Sequence, residues 1–460
     1  MKWTWLNNRK CFWIISALFV LNATSCKKLV HVDDPNDSMT TSTVFSNDSL
    51  AQAAVIGLYI KIMTNPKFLL NGGMSLFPGL SADELERNVL VSNEEPFYNN
   101  SISPNNLLLN TNIWKAAYAY IYQCNICIEG LQKSTEVSTA IKKQLLGEVL
   151  FVRALCYYYL VNLYGEVPLV LGTNAEVNAL LSRAPGDQVY QQIETDLTTA
   201  SDVLINDILK TRPTKYAAQA LLARVYLFMQ KWSKAAEMAS AVINSGQFFL
   251  LGDLSKVFKS DSKETIFQWA PVLERMNAAE GFIFMPATPN GRPNYSISDS
   301  LLNAFEAGDL RRSNWIRKAS QQPTYYYPYK YRVYLSNTIS EYNIVLRLAE
   351  QYLIRAEAYA QLSRVEDAII DIDTIRVRAG LPVISKAISS ELCFRAIEQE
   401  RRTELFAEWG HRWFDLNRTN RANVVLGVTK KNWHSDDQLY PIPSTELDVA
   451  PNLEQNHGYD

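Results

Sequence analysis

QALLARVYLFMQKWSKAAEMASAVINSG at residues 219–246 and QYLIRAEAYAQLSRVEDAIIDIDTIRVRAG at residues 351–380 are two copies of one pattern. A shift of 133 positions places Tyr226 on Tyr359, and an alanine follows nine residues later in each copy. Apolar residues recur at helical spacing on both sides of a short polar break, which predicts helix, turn and helix. Alanine at a helix contact lets two helix axes approach closely. Each copy is therefore predicted to form a helical hairpin.

The spacing from aromatic to small residue in both copies resembles the tetratricopeptide repeat. Residues 112–164 are predicted to form a third hairpin, and residues 187–206 a further helix. Because the copies lie far apart in the chain, we expect the intervening segments to be layered on the hairpins rather than an uninterrupted solenoid. The predicted fold class is mainly α, with tetratricopeptide-like helical hairpins packed against a loop-rich region that contains short β-strands.

The segments between the hairpins differ in pattern. QLLGEVLFVRALCYYYLVNLYG, residues 144–165, is apolar around most of a helical circumference and is therefore predicted to be buried centrally. Residues 64–110 are rich in glycine, proline and asparagine and predict loops. Residues 247–345 contain the short β-like run ETIFQWAP and six tyrosines between residues 325 and 334. This middle part is predicted to form irregular loops and short strands.

The N-terminus predicts export. A basic start precedes the eleven-residue apolar run CFWIISALFVL at residues 11–21, which is too short to span a bilayer as a helix but suits a signal peptide. Small residues then lead to Cys26, as in a bacterial lipoprotein signal that is cut before a lipid-bearing cysteine. An ordinary secretory signal cut near Ser25 is the alternative. In the lipoprotein interpretation the lipid holds the protein on the membrane.

The sequence predicts the following organisation. Residues 1–25 form a lipoprotein signal peptide, and 26–48 a lipid-anchored tether. Residues 49–246 form an N-terminal helical part with tetratricopeptide-like hairpins. Residues 247–460 form a C-terminal part with the loop-rich insert 247–345 and the hairpin 346–380. We expect the two parts to form one compact structural unit.

Composition excludes several classes of function. The net charge is -2 and no sustained run of lysine or arginine is present, which disfavours nucleic acid as a partner. Cys124 and Cys127 form a C-x-x-C on a predicted amphipathic helix, without a second pair or histidine to complete a metal site. We interpret them as buried thiols. Asp33, Asp34 and Asp37 lack the pattern of a calcium loop and suit a flexible tether. We expect no cofactor and no metal.

ERRTELFAEWGHRWFDLNRT at residues 400–419 raises the question of catalysis, because it combines carboxylates, arginines, two tryptophans and a histidine. Glu400, Glu404 and Glu408 fall in one helical row, and such a pair of carboxylates would suit a glycosidase acid and base. The structural alternative is a packed seam in which arginines neutralise the glutamates. The candidate arginines are Arg401, Arg402, Arg412 and either Arg376 or Arg378. We favour the second interpretation, since the tryptophans predict a covered surface. The predicted structural ion-pair network comprises Glu400, Arg401, Glu404, Glu408, Arg412 and Asp415.

Several stretches, in this order, resemble the SusD/RagB family of outer-membrane nutrient-binding lipoproteins. They are Cys26-Lys-Lys-Leu, RALCYYYLVNLYGEVPLV (153–170), PTKYAAQALLARVYLFMQKWSKAAEMASAVI (213–243), LRLAEQYLIRAEAYAQL (346–362), IRVRAGL (375–381), the ERR…HRWFDLNR stretch and LYPIPSTEL (439–447). Near the lipid cysteine the chain departs from the usual pattern, because Val30-His31-Val32 delays the acidic residues. The stretches otherwise cover nearly the whole mature chain.

The resemblance implies a tetratricopeptide-like core with a variable loop region, no enzymatic activity, and a lipid-anchored place at the outer membrane, facing outward. It also implies two kinds of partner. One is a SusC-like TonB-dependent outer-membrane transporter, and the other is a nutrient, either a glycan or a peptide. Membrane contact is implied through the lipid on Cys26.

A glycan site needs exposed aromatic rings and polar groups on loops over a rigid body, because sugar rings have apolar faces and polar rims. Two loop segments, 83–100 and 283–331, fit that requirement. The candidate ligand contacts are Asp83, Arg87, Phe97, Tyr98, Asn99, Asn294, Tyr295, Tyr325, Tyr326, Tyr327 and Tyr329. The tyrosine run also suits a β-hairpin in which alternate rings pack inward.

We therefore predict an oligosaccharide-binding lipoprotein that serves a transporter, or the same role with a peptide. Two alternatives belong to other classes. A lipoprotein glycoside hydrolase or lyase would need an exposed carboxylate pair in the loops. A tetratricopeptide scaffold that binds only proteins would bind the transporter but no sugar or peptide.

Overall fold

The computed structural model describes residues 41–206, 209–288, 290–320 and 323–459. The predicted signal peptide, Cys26 and the tether up to residue 40 lie outside the described residues, as do the three aspartates considered for calcium. The helices are α1 (Thr41–Val44), α2 (Asp48–Met63), α3 (Gly73–Ser81), α4 (Glu95–Asn99), α5 (Lys115–Lys133), α6 (Thr139–Tyr164), α7 (Ala175–Asn178), α8 (Gly186–Val203), α9 (Lys215–Phe228), α10 (Trp232–Ile243), α11 (Ala279–Phe284), α12 (Asp299–Leu302), α13 (Leu310–Trp315), α14 (Leu348–Gln361), α15 (Val365–Arg378), α16 (Ser390–Glu404), α17 (His411–Arg418), α18 (Ala422–Thr429) and α19 (Ser444–Leu447).

The strands are short and pair two by two. They are β1 (Leu85–Arg87), β2 (Val167–Pro168), β3 (Arg183–Ala184), β4 (Thr265–Trp269), β5 (Tyr295–Ile297), β6 (Ile316–Lys318), β7 (Tyr326–Pro328) and β8 (Asn343–Arg347). In the described chain the antiparallel pairs are β1 with β5, β2 with β3, β4 with β8, and β6 with β7. The protein is therefore mainly α with short strands, as the sequence predicts.

The long helices form one stack in chain order. Helix α6 packs between α5 and α8, α9 packs on α8 and α10, and α14 packs on α10, α15 and α16. Helix α6 has 26 residues and is apolar and long enough to cross a membrane, but 89% of its most apolar window is buried inside the protein. Gly165, at φ 71°, ends it. The prediction of a central buried helix is confirmed.

The two quoted copies form hairpins with the same turn. Helices α9 and α14 begin 133 residues apart, and so do α10 and α15. At equivalent turn positions Gln230 and Ser363 adopt left-handed φ values of 55° and 61°. The following amide donates to the carbonyl of Tyr226 in the first copy, at 2.9 Å, and to that of Tyr359 in the second, at 2.8 Å. The repeat in the sequence is therefore a repeat of backbone conformation.

The loop-rich insert is closed at its base by the pairing of β4 with β8. Thr265 lies opposite Arg347, and both strands are buried along their whole length. Strand β8 runs directly into α14, so the end of the insert is fixed to the start of the second hairpin. The loops of the insert are consequently held on the helical stack.

One prediction about the helices is wrong. Helix α16 ends at Glu404, so Glu408 and Trp409 do not continue its row of glutamates. Residues 405–410 form a tight turn in which Ala407, Trp409 and Gly410 all have positive φ. The turn directs the Trp409 ring inward, where its Nε1 donates to the carbonyl of Ile344 at 2.6 Å. Burial of the tryptophan therefore outweighs the helical pattern of the sequence.

Candidate ligand-binding face

The two loop segments proposed from the sequence lie beside each other. Strand β1 pairs with β5, which places Arg87 opposite Tyr295 and Leu85 opposite Ile297. Strand β5 in turn contacts α11 and β7, and β7 pairs with β6. We call this contiguous set, β1, β5, β6, β7 and α11 with residues 329–335, the loop face. It brings together segments that are more than 200 positions apart in the chain.

Asp83 and Phe97 do not present their side chains to a ligand. Asp83 is buried and accepts hydrogen bonds from Arg412 Nε at 2.8 Å and Arg402 Nη2 at 2.6 Å. Burial by itself would raise the pKa of Asp83, but the two guanidinium groups outweigh it and hold the pKa below its usual value. Phe97 is fully buried and stacks on Phe77, with ring centres 4.6 Å apart. The expectation that both would be exposed is wrong, because the segment folds back on the core.

The other candidates from the first segment already have partners within the protein, and the Arg87 side chain is only 7% exposed. Arg87 pairs with Glu95 at 3.1 Å. The Tyr98 hydroxyl donates to Glu86, and Lys430 Nζ lies 4.3 Å from the ring centre. Asn99 is half-buried and contacts Glu95 at 3.5 Å. These three side chains remain predictions for ligand contact, each with an intramolecular partner that a ligand would have to replace.

The candidates from the second segment differ clearly in how exposed they are. Tyr295 is 1% exposed and donates its hydroxyl to Glu94, so the expectation of an exposed ring is wrong there. The cause is the pairing of β5 with β1, which covers the ring. Asn294, one residue earlier, is exposed. It stays a candidate contact.

The tyrosine run forms the predicted hairpin with alternate rings turned inward. In the register of β6 and β7, Arg317 lies opposite Tyr327 and Lys318 opposite Tyr326. Tyr327 is 2% exposed, so its expected exposure is wrong, while Tyr325, Tyr326 and Tyr329 are half-buried. Neighbouring residues of a strand point to opposite sides, which explains why Tyr326 and Tyr327 differ.

Cations lie on two of these rings. The guanidinium carbon of Arg292 is 5.0 Å from the Tyr325 ring centre. Arg317 and Arg332 both lie over Tyr329, at 4.9 Å and 5.0 Å. Such contacts are weakly attractive and hold the rings in place.

Sequence reasoning missed a stacked pair of rings next to the hairpin. Phe282 and Tyr334 are both half-buried, and their ring centres are 5.1 Å apart with nearly parallel planes. Gly281 makes this possible, because a Cβ there would lie 2.4 Å from the carbonyl oxygen of Val333. Tyr334 belongs to the visible tyrosine run, but Phe282 lies about fifty residues away and no periodicity connects the two.

The glutamates of residues 400–408 belong to a buried network that we call the charged seam. Glu404 is fully buried and contacts Arg347 Nη1 at 2.6 Å, Arg311 Nη1 at 3.3 Å and Arg378. Burial would raise the pKa of Glu404, but the three arginines hold it well below its usual range. The seam consists of Glu400, Glu404 and Glu408 with Arg311, Lys330, Arg347, Arg376 and Arg378.

The cations of the charged seam differ from those expected. Only Arg376 and Arg378 come from the arginines considered beforehand. Arg401 pairs with Asp415 instead, at 2.7 Å, and Arg412 with Asp83 and with Glu398. Arg311 and Lys330 are supplied by the loop-rich insert, and Arg347 by the end of strand β8, which follows it. The seam therefore joins the insert to helix α16.

Lys330 connects the charged seam to the hairpin of the loop face. Its ammonium group is buried, contacts Glu408, donates to the carbonyl of Glu404 at 2.7 Å, and lies 4.0 Å from the Phe406 ring centre. Burial lowers the pKa of Lys330 to about 8, and Glu408 opposes that shift. Since Tyr329 immediately precedes this residue, the tyrosine hairpin is fixed to the stack of long helices and the charged seam, which together we call the helical frame.

The seam gives a substrate no access. Glu404 is 0% exposed and Glu408 6%, and their oxygens accept hydrogen bonds from arginine or lysine. His411, the first residue of α17, is buried, and burial together with nearby arginines lowers its pKa well below its usual value. A neutral, enclosed imidazole fits a packing role.

A surface cavity of about 370 Å³ lies on the helical frame beside α14, α16 and α17. Its arginines are largely neutralised within the frame. Arg418 pairs with Glu357 at 2.5 Å and with Asp415 at 2.8 Å, and Arg421 pairs with Glu398 at 3.0 Å. We therefore assign this cavity to the frame rather than to the candidate site.

Four cysteines in the described residues, Cys124, Cys127, Cys156 and Cys393, are buried free thiols. Burial raises the pKa of Cys127 to about 12. The C-x-x-C pattern therefore places two unreactive thiols in the core of helix α5.

The chain matches two family models. Residues 32–227 match one described as starch-binding, associating with the outer membrane, and residues 304–459 match that of the SusD family. SusD-like protein P25 of Formosa agariphila is 25% identical, over 97% of this chain and 99% of its own length. Starch-binding protein SusD of Bacteroides thetaiotaomicron is 22% identical, over 74% of this chain and 76% of its own.

The fold agrees with those matches. The solved structure of a laminarin-binding SusD-like protein superposes with a TM-score of 0.77 at 24% identity, covering 90% of this chain and 100% of that one. The family matches cover both the helical part and the C-terminal part that contains the charged seam. The chain belongs to the SusD/RagB family.

Proposed function

We propose that the protein is an outer-membrane lipoprotein that binds an oligosaccharide on its loop face and delivers it to a SusC-like TonB-dependent transporter. The observation that carries the proposal is the group of half-buried rings that these neighbouring elements hold: Tyr325 and Tyr329, Tyr326 on the other side of the hairpin, and the stacked pair Phe282 and Tyr334. Two similar proteins are named for starch and laminarin binding, which supports a glycan rather than another nutrient.

The loop face suits a sugar because its rings are presented by a rigid support. An aromatic ring stacks on the apolar face of a pyranose, while nearby polar groups bond the hydroxyls. Asn294 is an exposed polar side chain on this face, and Asn99 is a half-buried one close to β1. Fastening through Lys330 lowers the entropy lost when a ligand orders the hairpin.

Enclosure of the seam carboxylates supports binding without catalysis. General acid and base groups must reach the bond that they cleave, and Glu404 and Glu408 are enclosed by their cations. We therefore infer capture and transfer, with no bond broken. A reducing-end assay on each glycan that binds tests this, since any sustained release of new ends would support a hydrolase or lyase.

The place of the protein at the membrane is part of the same proposal. Lipid on Cys26 would hold the mature chain at the outer membrane, and the transporter would receive the ligand. Labelling cells with a fatty-acid analogue tests the first point: the wild type should be labelled and Cys26→Ser should not. Co-purification with a TonB-dependent transporter tests the second.

Calorimetric titration of the full-length protein in non-ionic detergent with a panel of oligosaccharides and peptides is the central experiment. We expect heat with at least one oligosaccharide and about tenfold weaker binding in Tyr334→Ala, a loss of about 1.4 kcal/mol. Tyr122→Ala removes an exposed ring from helix α5 and is the matched control. Binding of peptides alone would mean that the ligand is a peptide rather than an oligosaccharide. Binding of neither class would favour a scaffold that binds only proteins.

A further inference from the structure

The tyrosine segment has an unusual charge composition. Residues 310–340 contain six basic residues and six tyrosines but no aspartate or glutamate. The chain as a whole has slightly more acidic than basic residues, 47 against 45. A run of this length without a carboxylate therefore concentrates positive charge on one part of a mildly acidic protein.

The structure divides five of these six basic residues into two sets, and the sixth, Arg332, is half-buried over the Tyr329 ring. Arg311 and Lys330 are buried, and carboxylates of the charged seam and of Asp309 neutralise them. Arg312, Arg317 and Lys318 are exposed, and none of them forms an ion pair with a described residue. The second set is positive charge that the protein itself leaves uncompensated.

Two of the uncompensated cations line a cavity with a tyrosine ring. The cavity has a volume of about 330 Å³ and is lined by Leu302, Asp309, Arg312, Ser313, Ile316, Lys318 and Tyr326. Lys318 lies directly opposite Tyr326 in the β6–β7 register, so the two side chains are on the same side of the hairpin. The carboxylate of Asp309 is already bound to Arg311 at 2.8 Å and leaves the cavity cationic.

The arrangement suits a sugar that carries an acid group. Tyr326 offers a ring for stacking, Ile316 and Leu302 provide apolar surface, and Ser313 offers a hydroxyl. An arginine fork and a lysine ammonium beside the ring would bind a carboxylate or sulfate through charge-assisted hydrogen bonds. A neutral pyranose would leave both cations without a partner.

We propose that the ligand is an anionic oligosaccharide, and that the cavity beside Tyr326 binds a sugar residue carrying a carboxylate or sulfate group, with Arg312 and Lys318 as its counter-charges. This inference rests on the proposed function and narrows its ligand class. A volume of about 330 Å³ is near the lower end for small-molecule pockets, which suits one monosaccharide unit rather than a flat lipid surface. Arg292 and Arg317, which lie over Tyr325 and Tyr329, would attract further acidic units of the same chain.

Calorimetric titration with two matched pairs of probes tests the inference. The first pair is tetragalacturonate and its methyl ester, which share a backbone and differ in charge. The second is a κ-carrageenan tetrasaccharide and its desulfated form. We expect the full-length protein in non-ionic detergent to bind one acidic member at least tenfold more tightly than its neutral counterpart. The pair that shows the difference identifies carboxylate or sulfate as the recognised group.

The variant Arg312→Gln/Lys318→Gln tests the site. We expect it to bind the acidic probe about tenfold more weakly and the neutral probe unchanged, and to lose most of the salt dependence of the wild type. Lys386→Gln/Lys431→Gln removes the same charge from exposed positions elsewhere and should bind as the wild type does.

The outcomes separate the inference from the function on which it rests. Binding of neutral oligosaccharides with no preference for the acidic members would overturn the anionic ligand and leave the proposed function standing. A tenfold preference that the double variant retains would overturn the assignment to this cavity. Failure of every oligosaccharide to bind would overturn both.

Discussion

The charged seam and the loop face both combine arginines with aromatic rings, yet they treat charge in opposite ways. In the seam Arg347 contacts Glu264, Glu404 and Glu408 at 2.6–3.0 Å. At the edge of the loop face, in the cavity that Arg312 of α13 shares with Lys318 and Tyr326, Arg312 has no carboxylate partner among the described residues. A buried charge without a partner is costly, whereas an exposed one is solvated by water. Unpaired cations are therefore tolerated only where a ligand can also reach them.

The two regions are nevertheless joined by one segment of chain. Arg311 lies in the seam and Arg312, the next residue, borders the cavity of the loop face. Lys330 is buried in the seam directly after Tyr329 of the loop face. The frame thus extends to within one residue of the candidate ligand contacts, which makes the hairpin a fixed element rather than the flexible loop that composition suggests.

The largest expected effect comes from removing the central cation of the seam. Arg347→Met would leave Glu264, Glu404 and Glu408 with fewer partners in a buried site. We expect a loss of about 3–5 kcal/mol in the free energy of unfolding, measured by urea denaturation. Arg395→Met, which breaks an exposed pair with Glu391, is the control and should change stability by less than about 1 kcal/mol. Equal effects of the two variants would contradict the distinction between seam and surface.

A second variant tests how the loop face depends on close packing. Gly281→Ala would place a Cβ 2.4 Å from the carbonyl oxygen of Val333, so helix α11 or residues 331–334 must move. We expect a loss of about 1–3 kcal/mol in stability and weaker glycan binding, because the stack of Phe282 on Tyr334 would be disturbed.

Gly57→Ala is the control for that substitution, since nothing lies within 4 Å of a Cβ at this exposed position of helix α2. Alanine favours a helix more than glycine does, so the control should gain about 0.5–1 kcal/mol. Unchanged stability and binding in Gly281→Ala would show that the close approach is unimportant.

Some buried carboxyl groups near the charged seam are not neutralised by an arginine or lysine as the seam glutamates are. Glu280 is buried, accepts from Ser75 Oγ at 3.0 Å, and forms no ion pair with a described residue. Burial raises the pKa of Glu280 to about 7, and the Glu408 carboxylate adds to the shift. Glu84 behaves alike: burial and Asp83 raise its pKa to about 8.

These raised pKa values predict a pH dependence with a definite sign. Below pH about 4.5 Glu280 is protonated in both the folded and the unfolded chain, so it does not change the free energy of unfolding. As the pH rises from about 4.5 to 7, the unfolded state ionises first, and the folded state loses stability. Glu280→Gln mimics the protonated form, so it should be about 1–3 kcal/mol more stable than wild type at pH 8 and nearly equal at pH 4.5.

Urea denaturation at a series of pH values measures that difference. Glu404 and Asp83 have lowered pKa values and contribute stability that is lost only as the pH falls toward the acid range. Their effect therefore has the opposite sign and occurs in a lower pH range. A Glu280→Gln curve parallel to that of the wild type from pH 5 to 8 would contradict the raised pKa.

The helical frame could be predicted from the sequence because its signals are local. The 133-residue shift aligns two hairpins whose turn residues, Gln230 and Ser363, share a left-handed conformation. The candidate site could be predicted only as two segments. That Phe97 turns inward and that Phe282 stacks on Tyr334 depend on contacts between distant parts of the chain, and no spacing within either segment records them.

Which of the tyrosines is buried could not be predicted for a similar reason, because it depends on the strand register. The sequence predicts a hairpin with alternate rings inward, but only the pairing of Lys318 with Tyr326 decides that Tyr327 is the buried member. The seam shows the same limit for charges. Arg311 and Arg347 lie 57 or more positions from the glutamates that they neutralise, so the arginines next to those glutamates were the natural but incorrect choice.

The smallest expected effect makes the comparison most direct, because it concerns the residue that immediately follows Arg311 of the charged seam. Arg312→Gln removes an exposed cation that has no carboxylate partner among the described residues and shares a cavity with Lys318. We expect a change within about 0.5 kcal/mol in the free energy of unfolding. A slight gain at 20 mM salt should vanish at 300 mM, since the substitution relieves repulsion between like charges that salt also screens. A loss above about 1 kcal/mol would mean that Arg312 supports the fold, and the cavity would then have no cation reserved for a ligand.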